Sequence, residues 1–245
     1  MSRVPGIASL AESGIAHVVV EDLHRAELME EDQHHLGTVR RLRSGDAITL
    51  GDGRGRWRVA LLRETGRNRG KAGIQIDLSG EIFQETRQEP PIVVGFCLPS
   101  LDRAGWALQK MTELGVDEIH LLHSRFSSVR KSGLEREGND LNKLARVIRE
   151  AGMQSRSAFL PTLFPIESLE SFVEMHPGGG VCTQGGTDYL ELGVPTVVGP
   201  EGGFIHSELE LFSRRFGLGR NVLRSETAVV VVSGILSVRR SGLLL

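Results

Sequence analysis

Two short stretches late in the chain carry residues set out for chemistry. Residues 197–204 read VVGPEGGF, and residues 221–228 read NVLRSETA. In the first, two valines end an apolar run. The loop that follows, Gly199, Pro200, Glu201, Gly202 and Gly203, holds one charge among glycines and a proline. Glycine lets backbone amides and carbonyls come close to a ligand. Glu201 would repel phosphate, no lysine follows, and the spacing matches neither a dinucleotide fingerprint nor a P-loop. A neutral or cationic ligand therefore suits this loop better than a nucleotide phosphate. In the second stretch, Arg224 and Glu226 either pair with each other or face a substrate. Ser225 or Thr227 is a candidate cap for a final helix.

Such loops work only if regular elements hold them. From residue 92 onward, apolar runs alternate with helical patterns, which implies an α/β domain with a parallel sheet. PIVVGFCL, EIHLLHS, GGVCTQ and VPTVVGP read as strands. DRAGWALQKMTELGV reads as an amphipathic helix, with Trp106, Met111 and Leu114 among its apolar positions. NDLNKLARVIREAGMQS is a second helix, with Leu141, Leu144, Ala145 and Ile148 on one face. ESLESFVEMH is a third. HSELELFSRRFG is a fourth, with Ser207 and Glu210 as its capping box. AVVVVSGILSVRR is two-valued. Its β-branched residues favour a strand, and its position after a loop at the chain end suits a helix. In open α/β sheets, ligands bind outside the carboxyl ends of the strands.

The first third differs. IAHVVV, DAITLGDG, RWRVALLR and AGIQIDL alternate with period two between glycine turns, which predicts a small β-rich domain. A short helix is expected between the first two pieces. Charge is segregated here. Residues 21–32 hold six acids against Arg25, while residues 40–71 hold ten basic residues against Asp46, Asp52 and Glu64. The basic run includes Arg40, Arg41, Arg43, Arg54, Arg56, Arg58, Arg63, Arg67 and Arg69, with Trp57 among them. Arginine binds phosphate through two parallel hydrogen bonds, so this surface is a candidate RNA-binding face. A solvated face balanced by the acidic segment is the other reading. Residues 81–91, polar and ending in two prolines, are expected to be the linker.

Composition narrows the classes. The chain has 245 residues and a net charge of −2, so attraction to nucleic acid must come from a local patch. Cys97 and Cys182 lie in apolar runs and read as small buried hydrophobes. Their spacing fits no zinc or redox motif, so no metal is expected. The start lacks the apolar core of a signal peptide. The longest uncharged apolar stretch falls well short of the roughly 20 residues that span a bilayer. A cytoplasmic protein with no membrane partner is expected.

VVGPEGGFIHSELELF followed by LGRNVLRSETA resembles the RsmE family, the bacterial 16S ribosomal RNA uridine N3-methyltransferases. WALQKMTELGVDEIHLL and REAGMQSRSAFLP are similar to upstream segments of that family, and the basic N-terminus is similar to its PUA-like domain. The resemblance covers nearly the whole chain. It implies an α/β fold with a PUA-like β-barrel RNA-binding domain over 1–80, the linker over 81–91, and a SPOUT methyltransferase domain over 92–245. That domain would have a parallel sheet and a deep trefoil knot. It implies S-adenosyl-L-methionine as cofactor, 16S rRNA or the small ribosomal subunit as partner, and a homodimer.

Carried over residue by residue, the resemblance gives Gly199, Pro200, Glu201, Gly202 and Gly203 as the first cofactor loop. Leu218, Leu223, Arg224, Ser225, Glu226, Thr227 and Ala228 make the second. Arg103, Arg125, Gln154, Ser155 and Arg156 are expected to face RNA, with Arg40, Arg41, Arg43, Arg54 and Arg56 of the basic run. Glu201 and Glu226 are the candidate bases for uracil N3, and Arg224 or Arg156 the candidate stabilisers of charge on the uracil oxygens. The chain departs from the family pattern at Ser100, at Ser157 and at Val229–Val232, where lysine, arginine or glycine, and alanines are usual. Rival classes are a non-catalytic RNA-binding assembly factor, which leaves both loops idle, and a methyltransferase of the same class acting on another base.

Overall fold

The computed structural model describes residues 7, 15–68, 71–78, 80–127 and 138–243. The chain forms two compact units. The first holds residues 1–87 together with Gly152–Leu160, and the second holds Gln88–Ala151 with Pro161–Leu245.

In the first unit, β1 (Ala16–Val19) pairs in parallel with β2 (Ala47–Gly51). Between them α1 (Glu30–His34) runs into a π-helical turn over His35–Val39. β3 (Arg56–Asn68) pairs antiparallel with β2 along one side. Along its other side lie β4 (Lys71–Asp77) and β5 (Ile82–Gln84). Val18, Val20, Leu23, Leu36, Ile48, Leu50, Ala60 and Leu62 form the core on one face. Trp57, Ala158 and Ile7 form a second cluster, with Phe83 and Phe159 against it. β5 lies inside the stretch expected to be a linker. Its three residues are too few to show an alternating pattern, and only the pairing of Trp57 with Phe83 reveals them.

Residues 152–160 return to this unit from far along the chain. Phe159 bridges antiparallel to Arg54. Gly55 N–H donates to Ala158 O at 2.9 Å, and Leu160 N–H donates to Gly53 O at 2.8 Å.

The second unit is a six-stranded, all-parallel sheet in the order β11-β9-β10-β6-β7-β8. Its strands are β6 (Val93–Cys97), β7 (Glu118–His123), β8 (Thr162–Ser168), β9 (Gly180–Cys182), β10 (Thr196–Val198) and β11 (Arg214–Phe216). Its helices are α2 (Leu101–Glu113), α3 (Gly138–Ser155), α4 (Leu169–Met175), α5 (His206–Glu210) and α6 (Ser225–Arg240). α3 ends in the segment assigned to the first unit. Central strand β6, VVGFC, is apolar and buried throughout, as coverage of both faces requires. α2 buries Ala104, Ala107, Leu108 and Met111, a stripe at helical spacing, and this leaves Trp106 exposed off that face. On α3, Leu144 and Ile148 are buried and Ala145 is exposed.

Four local expectations change. Glu167 and Ser168, expected to open the helix over ESLESFVEMH, instead end β8, and that helix begins at Leu169. TLFPIES forms β8 although Pro165 interrupts it. β8 is an edge strand with a register shift, the setting in which a strand tolerates proline. The helix expected over HSELELFSRRFG is only α5, and RRF leaves it to form edge strand β11. Glu208, not Glu210, closes the start of α5, accepting from Ile205 N–H at 3.0 Å. The valine run, two-valued in the sequence, is helical. Its stripe of Ala228, Val229, Val232, Ser233 and Leu236 is buried, and α6 packs on α2, β6 and β10. Burial outweighs the modest helix penalty of valine. At the far end of α6, Arg240 forms a buried ion pair with Asp117 and donates to Gly115 O at 2.6 Å.

Candidate functional site

Strand order decides where a site can form. From β6 the chain winds outward through β7 and β8, then crosses to the other half of the sheet as β9, β10 and β11. β6 and β10 are neighbours across that reversal, and a crevice opens beyond the carboxyl ends of such strands. The loop after β6 leads through Ser100, the N-cap of α2, to Arg103 in the first turn. The loop after β10 is Gly199–Gly203. The loop after β11 is 217–224, and α6 begins where it ends. Both stretches singled out by their chemistry therefore leave the same edge of one sheet.

The first loop is a tight turn. Gly203 has φ +71 and its N–H donates to Pro200 O at 2.9 Å, a backbone conformation that a side chain rarely adopts. Gly199 lies against the ring of Phe204, which fills the space a Cβ would need. Glu201 projects from the turn with a side chain 56% exposed.

The second loop delivers the start of α6. Arg224 is the N-cap residue, extended, with no side-chain capping bond, and its side chain is exposed. Neither Ser225 nor Thr227 caps the helix. Ser225 is buried beside Glu226, with Oγ 3.5 Å from Oε2. Glu226 sits in the first turn, where the helix dipole favours a negative charge, and its side chain is 13% exposed. Ala228 is buried on the packed face, Thr227 is exposed, and Leu218 and Leu223 are half-buried.

The two acids meet on one cation. Arg103 Nη1 bonds to Glu201, and its Nε lies 3.8 Å from Glu226 Oε1. One guanidinium thus faces two carboxylates, with Arg224 two residues before Glu226 in sequence. Among the described residues, the backbone N–H groups of Leu218 to Leu223 find no acceptor in the protein. Carboxylates, unpaired loop amides and half-buried leucines are the kinds of group that would hold a ligand with a positive centre and a polar ring. S-adenosyl-L-methionine, with its sulfonium and adenine, is such a ligand.

Arg103, expected to face RNA, bonds to Glu201 at the junction of the two loops, with its side chain still 41% exposed. Nothing in linear spacing joins residues 103, 201 and 226. Glu208 was also not foreseen: buried in α5, it accepts from Arg125 N–H at 2.6 Å, which leaves the Arg125 side chain exposed.

The remaining RNA candidates lie in the first unit. Arg40, Arg41, Arg43, Arg54 and Arg56 are exposed, and Arg56 lies 3.4 Å from Asp52. Gln154 and Ser155 are exposed and Arg156, at φ +54, is half-buried, on the segment that pairs with the turn carrying Arg54. The Arg87 guanidinium sits 4.7 Å above the Phe159 ring. Two members of the expected face are not on it. Arg58 is 6% exposed and donates to the carbonyls of Leu23, Leu78 and Gly80. Trp57 is 2% exposed, with its indole N–H donating to Glu85 at 3.1 Å. Neighbours on β3, the two side chains point to opposite faces, and both faces are covered here: Ile7, Ala158 and Phe83 lie against Trp57, and the carbonyls of Leu23, Leu78 and Gly80 hold Arg58. Arg63 pairs with Asp77 at 2.5 Å, and the Arg67 side chain and Arg69 lie outside the described residues.

Comparison with known proteins agrees with this geometry. Residues 87–237 match the family model described as an RNA methyltransferase domain, and residues 28–75 match one described as an RNA methyltransferase PUA domain. The chain is 28% identical over 229 residues to the Ribosomal RNA small subunit methyltransferase E of Mycobacterium bovis, covering 86% of this chain and 85% of that protein. It is 24% identical over 213 residues to the protein of the same name from Rickettsia conorii, covering 80% and 82%. In fold it is similar to the crystal structure of a Ribosomal RNA small subunit methyltransferase E from Neisseria gonorrhoeae bound to S-adenosyl methionine. That likeness has a TM-score of 0.71 at 22% identity and covers 92% of this chain and 98% of that one.

Proposed function

This chain belongs to the RNA methyltransferase family, and from that premise we propose that it methylates N3 of a uridine in 16S rRNA of the small ribosomal subunit, with S-adenosyl-L-methionine as methyl donor. The observation that carries the reading is the meeting of Glu201 and Glu226, from two separate strand-end loops, on the guanidinium of Arg103. The names of the relatives supply the substrate class.

The residues that would hold the cofactor are Gly199–Gly203, with Leu218 and Leu223 to Ala228. When bound, it supplies an electrophilic methyl group on a positive sulfur. Every other task falls to the protein. Uracil N3 carries a proton at neutral pH and is a poor nucleophile until that proton leaves. Glu226, only 13% exposed and fixed at the start of α6, is the base in this reading. A positioned base contributes about 10²–10⁴-fold. Arg224, exposed beside it, stabilises negative charge on the uracil oxygens. Glu201 and Arg103 hold the two loops at a fixed separation, and such positioning is worth up to roughly 7–11 kcal/mol in ideal cases. Arg54, Gln154 and Arg156, held in one unit, bind the RNA backbone, with Arg40, Arg41, Arg43 and Arg56 nearby in sequence and Arg125 as a further contact. A deep trefoil knot around the loops, a homodimer and a cytoplasmic location complete the proposal. Among the described residues, no helix is long and apolar enough to cross a membrane.

The test is methyl transfer from labelled S-adenosylmethionine to small subunits lacking the modification, with free 16S RNA alongside and mass spectrometry of the product nucleosides. The reading expects 3-methyluridine. Label in another nucleoside leaves the class intact and removes the substrate assignment. Cofactor binding with no label in either RNA removes the catalytic reading.

A further inference from the structure

A second cluster of chemistry-bearing side chains lies along β7 and β8 and at the end of α4. His120, in the middle of β7, is fully buried. Its ring is stacked on Phe164 at 4.0 Å and meets Phe172 edge-on at 5.1 Å, so packing fixes its plane. Its Nδ1 lies 2.6 Å from Glu167 Oε1 on β8. A carboxylate at that distance holds the proton on Nδ1 and leaves the Nε2 lone pair pointing the other way. Facing that lone pair are His176 Nε2 at 3.1 Å and Glu118 Oε2 at 3.5 Å. His176 follows the last residue of α4, and Glu118 opens β7. All of these atoms belong to the second unit.

We propose that Glu118, His120 and His176 bind a divalent transition-metal ion of the zinc class, with Glu167 as the residue that orients His120. Two imidazoles and a carboxylate form a donor set that such ions accept. Distances support the assignment. Metal–ligand bonds of about 2.0–2.2 Å in a tetrahedron put neighbouring ligand atoms about 3.3–3.5 Å apart. His120 Nε2 lies at nearly those separations from both partners, and the three ligand atoms all lie within 4.8 Å of one another. The Glu167–His120 contact is the carboxylate–histidine pairing that fixes tautomer and ring orientation around bound metals. Partial exposure of Glu118 and His176 leaves water as the fourth ligand. The ion joins the end of α4 to the start of β7 and is separate from methyl transfer. It was not foreseen from the sequence because its ligands, at 118, 120 and 176, lack the short paired spacings of familiar zinc motifs.

The competing arrangement is a metal-free pair, with His176 Nε2–H donating to His120 Nε2. Calorimetry with Zn²⁺ on tag-free, chelator-treated protein separates the two, with Co²⁺ absorption as a second readout. The proposal expects one ion per chain, the visible bands of tetrahedral Co²⁺, and loss of that uptake in His176→Ala and in Glu118→Gln. Glu118 is partly exposed, so its variant retains the fold, checked by circular dichroism. Glu167→Gln should weaken binding about 10–100-fold. The exposed His206–Glu210 pair, 3.2 Å apart on α5, serves as a control for surface binding. Uptake lost in His206→Ala, or unchanged in both His176→Ala and Glu118→Gln, overturns the proposal. Absence of uptake overturns it too and leaves the two histidines as a hydrogen-bonded pair.

Discussion

Arg103, in the first turn of α2, is bonded to Glu201, 98 residues further along the chain in the glycine loop. Both side chains are substantially exposed, and an exposed pair contributes only about 0–1 kcal/mol to stability. Its value lies in position. Arg103→Ala should leave the melting temperature within a few degrees of the parent and reduce methyl transfer at least tenfold. Steady-state kinetics beside a thermal melt checks this, and unchanged turnover removes Arg103 from the site.

Glu226 and Arg224 are adjacent to the same junction and have different expected roles. Glu226→Gln should lower the rate at saturating cofactor and RNA by about 10²–10⁴-fold, the usual contribution of a positioned base. Arg224→Ala should sharply reduce methyl transfer while cofactor affinity, measured by calorimetry, stays within a few fold. Equal loss of both quantities in Arg224→Ala would make it a cofactor ligand instead.

The Asp117–Arg240 pair is different in kind. Each side chain is 7% exposed, and Asp117 also accepts from Ile92 N–H at 2.8 Å. Removing one partner strands a buried charge, at about 3–5 kcal/mol. Arg240→Ala should lower the unfolding free energy read from urea titration by that amount. A shift under about 1 kcal/mol would mean the remaining carboxylate is rehydrated.

Cys97 should be inert in the folded protein. Burial pushes its thiol up to about 12. Relative to an ordinary thiol near 8.5, the reactive thiolate at pH 8 is then scarcer by about three orders of magnitude. Because the folded value lies above the unfolded one, this thiol's contribution to stability is complete below about pH 8.5 and falls as pH rises toward 12. Iodoacetamide should label Cys97 only after denaturation, as read by peptide mass spectrometry.

Arg54 stands at the turn that pairs with the segment carrying Gln154 and Arg156. If it binds phosphate, Arg54→Ala should weaken RNA binding regardless of sequence and reduce the salt slope by about 1. A salt titration by fluorescence anisotropy measures this. An unchanged slope would place the RNA elsewhere.

The strands and long helices of the second unit were legible because their patterns are long and unambiguous. The apolar run of β6 and the buried stripe of α2 are written in successive residues. β5 and β11 were not: IFQ and RRF sit in polar stretches, without the apolar runs that mark the equally short β9 and β10. Trp57 and Arg58 show a related limit: residue type suggested a surface, and segments from elsewhere in the chain cover both faces of β3 at these two positions. For the site, the sequence by itself determined which residues carry chemistry. A charged glycine loop and the Arg224–Glu226 stretch are local features, and local chemistry survives in a string of letters. Only the tertiary structure decided that both loops leave one edge of the sheet and that Arg103 joins their acids. It also decided that His120, in the middle of β7, and His176, after α4, face each other. Those relations depend on strand order, and strand order is fixed by burial summed over the whole sheet.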